Sequence, residues 1–257
     1  MKRLDYFLIG IVAAVGCAIL VSCMTTTRVA VAPATIEGAH YVGNDRCASC
    51  HVQKGKSFAR TSHSRLVLRE GGEKGVTFGC EACHGAGSKH VDVAGVGGQF
   101  ILNPRNDAEA CYKCHADIHA LNNLQYHHPI REGKMSCISC HDPHGEDIQK
   151  PKGLLMASGN DRCAQCHREQ ARPRVFEHEA LREGCTTCHN PHGSINDKML
   201  VARDNNLCLK CHVQTASGSN VYIGKSNHTT RLQQGTCWSA GCHTGIHGSN
   251  INAHLRY

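Results

Sequence analysis

FEHEALREGCTTCHNPHGS, residues 176–194, is the stretch on which the fold turns. Cys185 and Cys188 stand two residues apart and His189 follows at once, with His178 upstream and His192 downstream. C-x-x-C-H is the spacing of c-type haem attachment. Two thiols add to the vinyl groups of one haem while the next residue's imidazole reaches its iron as an axial ligand.

Outward from that stretch the pattern recurs along the whole chain. It is found at Cys47/Cys50/His51, Cys80/Cys83/His84, Cys111/Cys114/His115, Cys137/Cys140/His141, Cys163/Cys166/His167, Cys185/Cys188/His189 and Cys208/Cys211/His212. An eighth site, Cys237-Trp-Ser-Ala-Gly-Cys242-His243, has four intervening residues, and its alternative reading is a disulfide between Cys237 and Cys242. Zinc sites need a second ligand pair at a regular distance, and disulfides make no demand on the residue that follows. Histidine after every one of these pairs argues against both, so the expected cofactors are eight covalently bound c-type haems.

An iron with one protein ligand can bind substrate, whereas one with two mainly carries electrons, so the surplus histidines decide the function. The sites repeat in twos, with cysteine starts at 47 and 80, 111 and 137, 163 and 185, and 208 and 237. Four dihaem units follow, at about 40–104, 105–156, 157–202 and 203–257. Each has a histidine between its two sites (His63, His127 or His128, His178, His228) and one just past the second (His90, His144, His192, His247). Pro129 pushes the residue before it toward extended backbone, which favours His128 over His127. Eight positions for eight irons predict bis-histidine ligation throughout, though spacing does not say which iron each serves. His40, His119, His254 and the other of the adjacent pair are expected as solvated or propionate-bonding side chains. No methionine recurs in every unit, so low-potential haems are expected.

The composition agrees with a haem-filled interior. Of 257 residues 40% are hydrophobic and 5% aromatic, against about 45–50% apolar in a soluble domain. The expected fold is a multihaem cytochrome c, mostly irregular with short α-helices, a haem-packed core and little or no β. One helix is expected over Asp107 to His119, and no stable fold without haem. Lys and Arg are scattered singly, so the formal charge of +7 gives no nucleic-acid footprint. Two propionates on each of eight haems make the holoprotein slightly negative, with Lys and Arg as their partners.

The N-terminus reads as a targeting segment. Met1-Lys2-Arg3 precedes an apolar run from Phe7 to Val21, shorter than the roughly 20 residues a membrane-spanning helix needs. Leu20-Val21-Ser22-Cys23 resembles a lipobox, which predicts a signal peptide over 1–22 and lipidation of Cys23. A flexible tether over 23–39 would follow. Met24 after Cys23 favours an outer-membrane lipoprotein, expected on the periplasmic side.

YVGNDRCASCH (41–51), SFARTSHSR (57–65), CEACHGAGSKHV (80–91), HHPIREGKMSCISCHDPHG (127–145), FEHEALREGCTTCHNPHGS (176–194) and CHTGIHGSN (242–250) resemble segments of the MtrA/DmsE group of decahaem cytochromes, in order over roughly 40–250. The resemblance implies a haem wire that sits partly inside an outer-membrane β-barrel porin. It would pass electrons between periplasmic carriers and extracellular redox cytochromes. It also implies His63, His90, His128, His144, His178, His192 and His247 as distal ligands, with His228 at the remaining position. This chain departs from the group in having eight sites rather than ten, one pair apparently missing before Cys111, and in its lipobox and widened last site.

Electron transfer at the outer membrane is therefore the expected function, without substrate chemistry. The alternatives are a multihaem reductase with one open haem and a subunit of an extracellular cytochrome filament. C-x-x-C-Lys, frequent where such reductases keep an open iron, does not occur.

Overall fold

The computed structural model describes residues 36–65, 79–145, 158–239 and 241–256. The predicted signal segment, Cys23 and the tether up to residue 35 lie outside the described residues.

The chain runs through short helices, each tied to an attachment site. Helices α1 (Asn44–Cys50) and α2 (Val52–Phe58) meet at His51. Then come α3 (Glu81–His84), α4 (Ser88–Asp92), α5 (Glu109–Tyr112), α6 (Ala116–Asn122), α7 (Ser158–Ala164), α8 (Arg168–Ala171) and α9 (Asn205–Cys208). The histidine of the first site interrupts the helix in three units, at φ −94°, ψ 49° for His51, φ −99°, ψ 57° for His115 and φ −92°, ψ 52° for His167. This corrects the single helix expected over Asp107 to His119. The chain makes α5 and α6 instead, because the backbone leaves helical geometry to turn the His115 imidazole outward. The second sites of the second and third units occupy tighter turns, at Cys137–Ser139 and Cys185–Thr187.

A small antiparallel sheet, β1 (Gln214–Ser217), β2 (Asn220–Ile223) and β3 (Ser226–Asn227), lies between the last two sites. Gln214 opposes Ile223 and Ser217 opposes Asn220. Two-residue connections beginning at Gly218 and Gly224, both at positive φ, set the register. Elsewhere pairing is confined to isolated bridges. Two of them, Tyr126 with Ser194 and Phe176 with Ser249, join successive units.

Among the described residues the buried hydrophobics are Ala86, Tyr112 and Leu200, while Val175, Ile195, Val213 and Ile251 are exposed. Burying a large apolar side chain contributes about 1.5–3 kcal/mol, and ordering each residue costs about 1–2 kcal/mol. The polypeptide alone cannot balance that difference, so its interior belongs to bound groups. No helix among the described residues is long and apolar enough to cross a membrane.

Candidate functional site

All eight attachment sites close with the same turn. The backbone N–H of the site histidine donates to the carbonyl of the first cysteine, from His51 to Cys47 (2.9 Å) through His212 to Cys208 (2.9 Å). The widened site keeps it, His243 to Cys237 at 2.8 Å. All sixteen of these cysteines are free of disulfides, and no three metal-binding side chains converge among the described residues as a zinc site would require.

Within each unit the leading cysteines of the two sites interact. Cys47, whose thiol donates to the Gly43 carbonyl at 3.5 Å, is raised by its neighbour Cys80 and by burial, and Cys80 is lowered to about 7 by Cys47 against the opposing effect of burial. Cys111 and Cys137 repeat the arrangement, with Cys137 lowered to about 7. Burial first, then the charge of Cys185, raises Cys163; burial and Cys237 push Cys208 up to about 12. Burial raises Cys83, Cys140 and Cys188, and the charges of cysteines in the next unit, Cys114, Cys163 with Cys166, and Cys211, add to it.

A side chain absent from the sequence-based site list holds three of these contacts. Asn44 Oδ1 accepts from the Cys80 N–H (2.8 Å), Asn160 Oδ1 from Cys185 (2.9 Å) and Asn205 Oδ1 from Cys237 (2.9 Å). Each asparagine lies three residues before its unit's first cysteine, in NDRC, NDRC and NNLC, a signal legible in the repeats. The second unit has Ala108 at that position.

Seven of the eight site histidines face another histidine across a gap of constant size. Ring centres are 6.3 Å apart for His51 and His90, 5.8 Å for His84 and His144, 6.1 Å for His115 and His63, and 6.0 Å for His141 and His192. They are 6.0 Å for His167 and His128, 6.2 Å for His189 and His247, and 6.1 Å for His212 and His178. Metal to imidazole bonds of about 2 Å put the centres of two trans imidazoles roughly 6 Å apart, so the gap fits one iron. A ring pair in direct contact looks different, as Tyr112 on His119 at 4.3 Å shows. Five of the facing pairs are within 14° to 19° of parallel, whereas His63 with His115 is at 90° and His128 with His167 at 57°.

The partners cross unit boundaries by a rule. The middle histidine of one unit faces the first site of the next, as His63 with His115, His128 with His167 and His178 with His212. The trailing histidine faces the second site of the unit before, as His144 with His84, His192 with His141 and His247 with His189. The interunit bridges align these pairs. His128 Nδ1 meets the Pro191 carbonyl at 2.7 Å and His178 Nδ1 the Ile246 carbonyl at 3.1 Å, each the residue before the next unit's trailing histidine. Occupying Nδ1 leaves Nε2 as the ligating nitrogen. Gly193 and Gly248, just past those trailing histidines, let the bridges close. A Cβ at Gly193 would lie 2.1 Å from the Leu121 carbonyl oxygen, and one at Gly248, where φ is +106°, 2.8 Å from Arg174 Cβ.

Burial holds His144, His178, His192 and His247 below the ordinary histidine range, and the facing site histidine deepens the shift. Lowered basicity keeps these imidazoles neutral, the form that binds metal. His127 is placed otherwise. Its Nδ1 meets the Leu124 carbonyl at 2.6 Å and its Nε2 the Glu132 carboxylate at 3.1 Å, so both nitrogens are engaged. The first and fourth units depart from the rule. His51 and His90 of the first face each other. His228 and His243 of the fourth have no facing ring among the described residues, and their Nδ1 atoms meet the Ser226 and His254 carbonyls.

A family pattern described as a doubled CXXCH motif matches residues 127–172 and 178–217. Over 215 residues, 80% of this chain, the sequence is 34% identical to the multihaem cytochrome MtrA of Shewanella baltica. Over 207 residues, 65% of this chain, it is 24% identical to the dissimilatory sulfite reductase MccA of Wolinella succinogenes. The chain spans 58% of the length of the first relative and 27% of the second.

Proposed function

As a member of the multihaem c-type cytochromes with doubled C-x-x-C-H motifs, the chain binds covalent haem, and we propose that it relays electrons along eight such haems in sequence order. Bound haem supplies an iron that takes up and gives back one electron. The observation that carries the proposal is the series of seven site histidines that each face a second histidine about 6 Å away, from His51 with His90 to His212 with His178, six of the pairs joining one unit to the next.

The residues have distinct tasks in this reading. Sixteen cysteines fix the macrocycles by their edges. His51, His84, His115, His141, His167, His189, His212 and His243 are the proximal ligands. His90, His144, His63, His192, His128, His247 and His178 complete the first seven irons in that order, leaving no position for substrate there. Asn44, Asn160 and Asn205 hold the two halves of a unit together. Lipidation at Cys23 would set the protein at the outer membrane on its periplasmic side. There a β-barrel porin would shelter the wire, with periplasmic and extracellular cytochromes at its two ends.

A second reading, a reductase with one open haem, is favoured by the 24% identity to the dissimilatory sulfite reductase MccA. Pyridine haemochrome and intact mass, with electronic absorption and low-temperature EPR on the holoprotein, test the first. Eight haems with at least seven low-spin are expected; a largely high-spin population would overturn it.

A further inference from the structure

Six described residues other than glycine hold left-handed backbone, Ala94, Phe100, Lys198, Met199, Asp204 and Leu255, at φ between 50° and 56°. Residues with a Cβ rarely adopt that conformation, and it persists only where the surroundings impose it. Four of the six sit at or beside a carbonyl that meets the Nδ1 of a ligand histidine. The Gln99 carbonyl, just before Phe100, meets His90 at 2.9 Å; that of Lys198, just before Met199, meets His189 at 2.8 Å; that of His254, just before Leu255, meets His243 at 2.7 Å. Resting on the bis-histidine reading above, we infer that Phe100, Met199 and Leu255 are positioning residues, whose left-handed backbone aims these carbonyls at His90, His189 and His243 and so tunes the irons those histidines hold.

Extended backbone points successive carbonyls to opposite sides, and a left-handed residue turns the second back toward the first. The Lys198 carbonyl accordingly meets His189 Nδ1 while that of Met199 accepts from the Asn190 N–H at 2.8 Å. One turn grips the site histidine and the residue after it. His254 and Leu255 repeat the grip, the Leu255 carbonyl accepting from the Gly245 N–H at 2.8 Å. Phe100 lies instead between two anchors. Gln99 serves His90 of the first iron, and Leu102 serves His84 of the second through its carbonyl at 2.8 Å and its N–H, which donates to the His84 carbonyl at 3.0 Å. An imidazole that donates its Nδ1–H to a carbonyl is fixed in tautomer and rotation and is the more basic ligand, and hydrogen bonding around the ligands sets a haem's potential. Losing one anchor therefore raises the potential of one iron and frees its ring to turn.

The test is made at Met199 in the holoprotein, by potentiometric titration with low-temperature EPR and by Soret-monitored melting. Glycine and asparagine tolerate positive φ, whereas β-branched valine does not. Met199→Gly and Met199→Asn should titrate as wild type, and Met199→Val should move one low-spin haem of eight to higher potential and alter its EPR signal. The reverse order, with valine harmless and glycine and asparagine shifted, would mean that the Met199 side chain acts rather than its backbone and would overturn the inference. So would a Met199→Val protein with a lower Tm and no haem moved. That is the result expected of the control Gly218→Val, at φ +59° in open space on a turn that anchors no histidine. If Met199→Val takes up no haem, Met199→Ala, milder at the same φ, is read in the same way. A wild type that is itself largely high-spin would remove the bis-histidine premise, and the inference with it, before any variant is compared.

Discussion

The two ends of the molecule meet the same shortage differently. Crossing ligation leaves one site histidine and one spare histidine at each terminus. At the N-terminal end His90 folds back onto His51, and the joint is stiffened by Glu81. Its carboxylate is 1% exposed and accepts from the N–H groups of Val42, Gly43 and Gly87. At the C-terminal end the spare histidine stays on a sheet and the loop between the cysteines is two residues longer. The anchors differ as well: His90 Nδ1 meets the Gln99 carbonyl in its own unit at 2.9 Å and His228 Nδ1 the Ser226 carbonyl, whereas His128 and His178 reach carbonyls of the next unit.

The largest expected effect sets that contrast aside, because both ends need haem. Produced where no haem is attached, the chain should give far-UV circular dichroism without folded helix and no cooperative unfolding transition; a folded bare chain would break the premise for both ends. Next comes the joint between units. Gly193→Ala forces a Cβ onto the Leu121 carbonyl and should cost about 3 kcal/mol, read as a lower Tm in Soret-monitored melting, whereas alanine at Gly218, where no atom lies within 4 Å, should cost only about 1 kcal/mol.

Glu81→Gln sharpens the comparison of the ends. The amide keeps the shape but loses a buried charge beside Cys47 and Cys80. The lowest-potential haems should move upward by about 50 mV in film voltammetry, with about 1–3 kcal/mol lost from the unpaired donors. An unchanged voltammogram would mean that the carboxylate is only structural. Asn160→Ala removes one clamp and should cost about 1 kcal/mol; Asn44→Ala should match it, and a far smaller loss for Asn205→Ala would mark the C-terminal unit as already loose.

The last prediction involves no change of stability. Ring planes near parallel give ordinary rhombic low-spin ferric EPR signals, and crossed planes give highly anisotropic ones. His63 with His115 and His128 with His167 should supply the anisotropic signals, and His128→Ala should remove one. Its persistence would contradict the pairing.

Much of this was legible in the sequence. The attachment sites follow from the chemistry of two thiols and one imidazole, and the short irregular fold from the scarcity of apolar residues. The spare histidines could be found by position, because each unit repeats its grammar. Their partners could not be found that way. His144 faces His84 rather than the nearer His141 because bridges between residues far apart in sequence, such as Tyr126 with Ser194, decide the neighbours. The asparagine clamps were visible as a repeated NDRC, yet their function appears only when the Cys185 N–H is seen to need an acceptor. The sheet of 214–227 was missed because its strands are too short for alternation, although Gly218 and Gly224 marked its turns.

Crossed ligation also bears on how such a chain can change length. Each interior unit lends one imidazole forward and one backward and borrows one from each side, so every unit arrives with its debts already matched. Cutting out a whole unit and rejoining the flanks leaves the neighbours facing equivalent partners, whereas losing a single site strands two ligands at once. A chain built this way gains or loses its C-x-x-C-H sites two at a time.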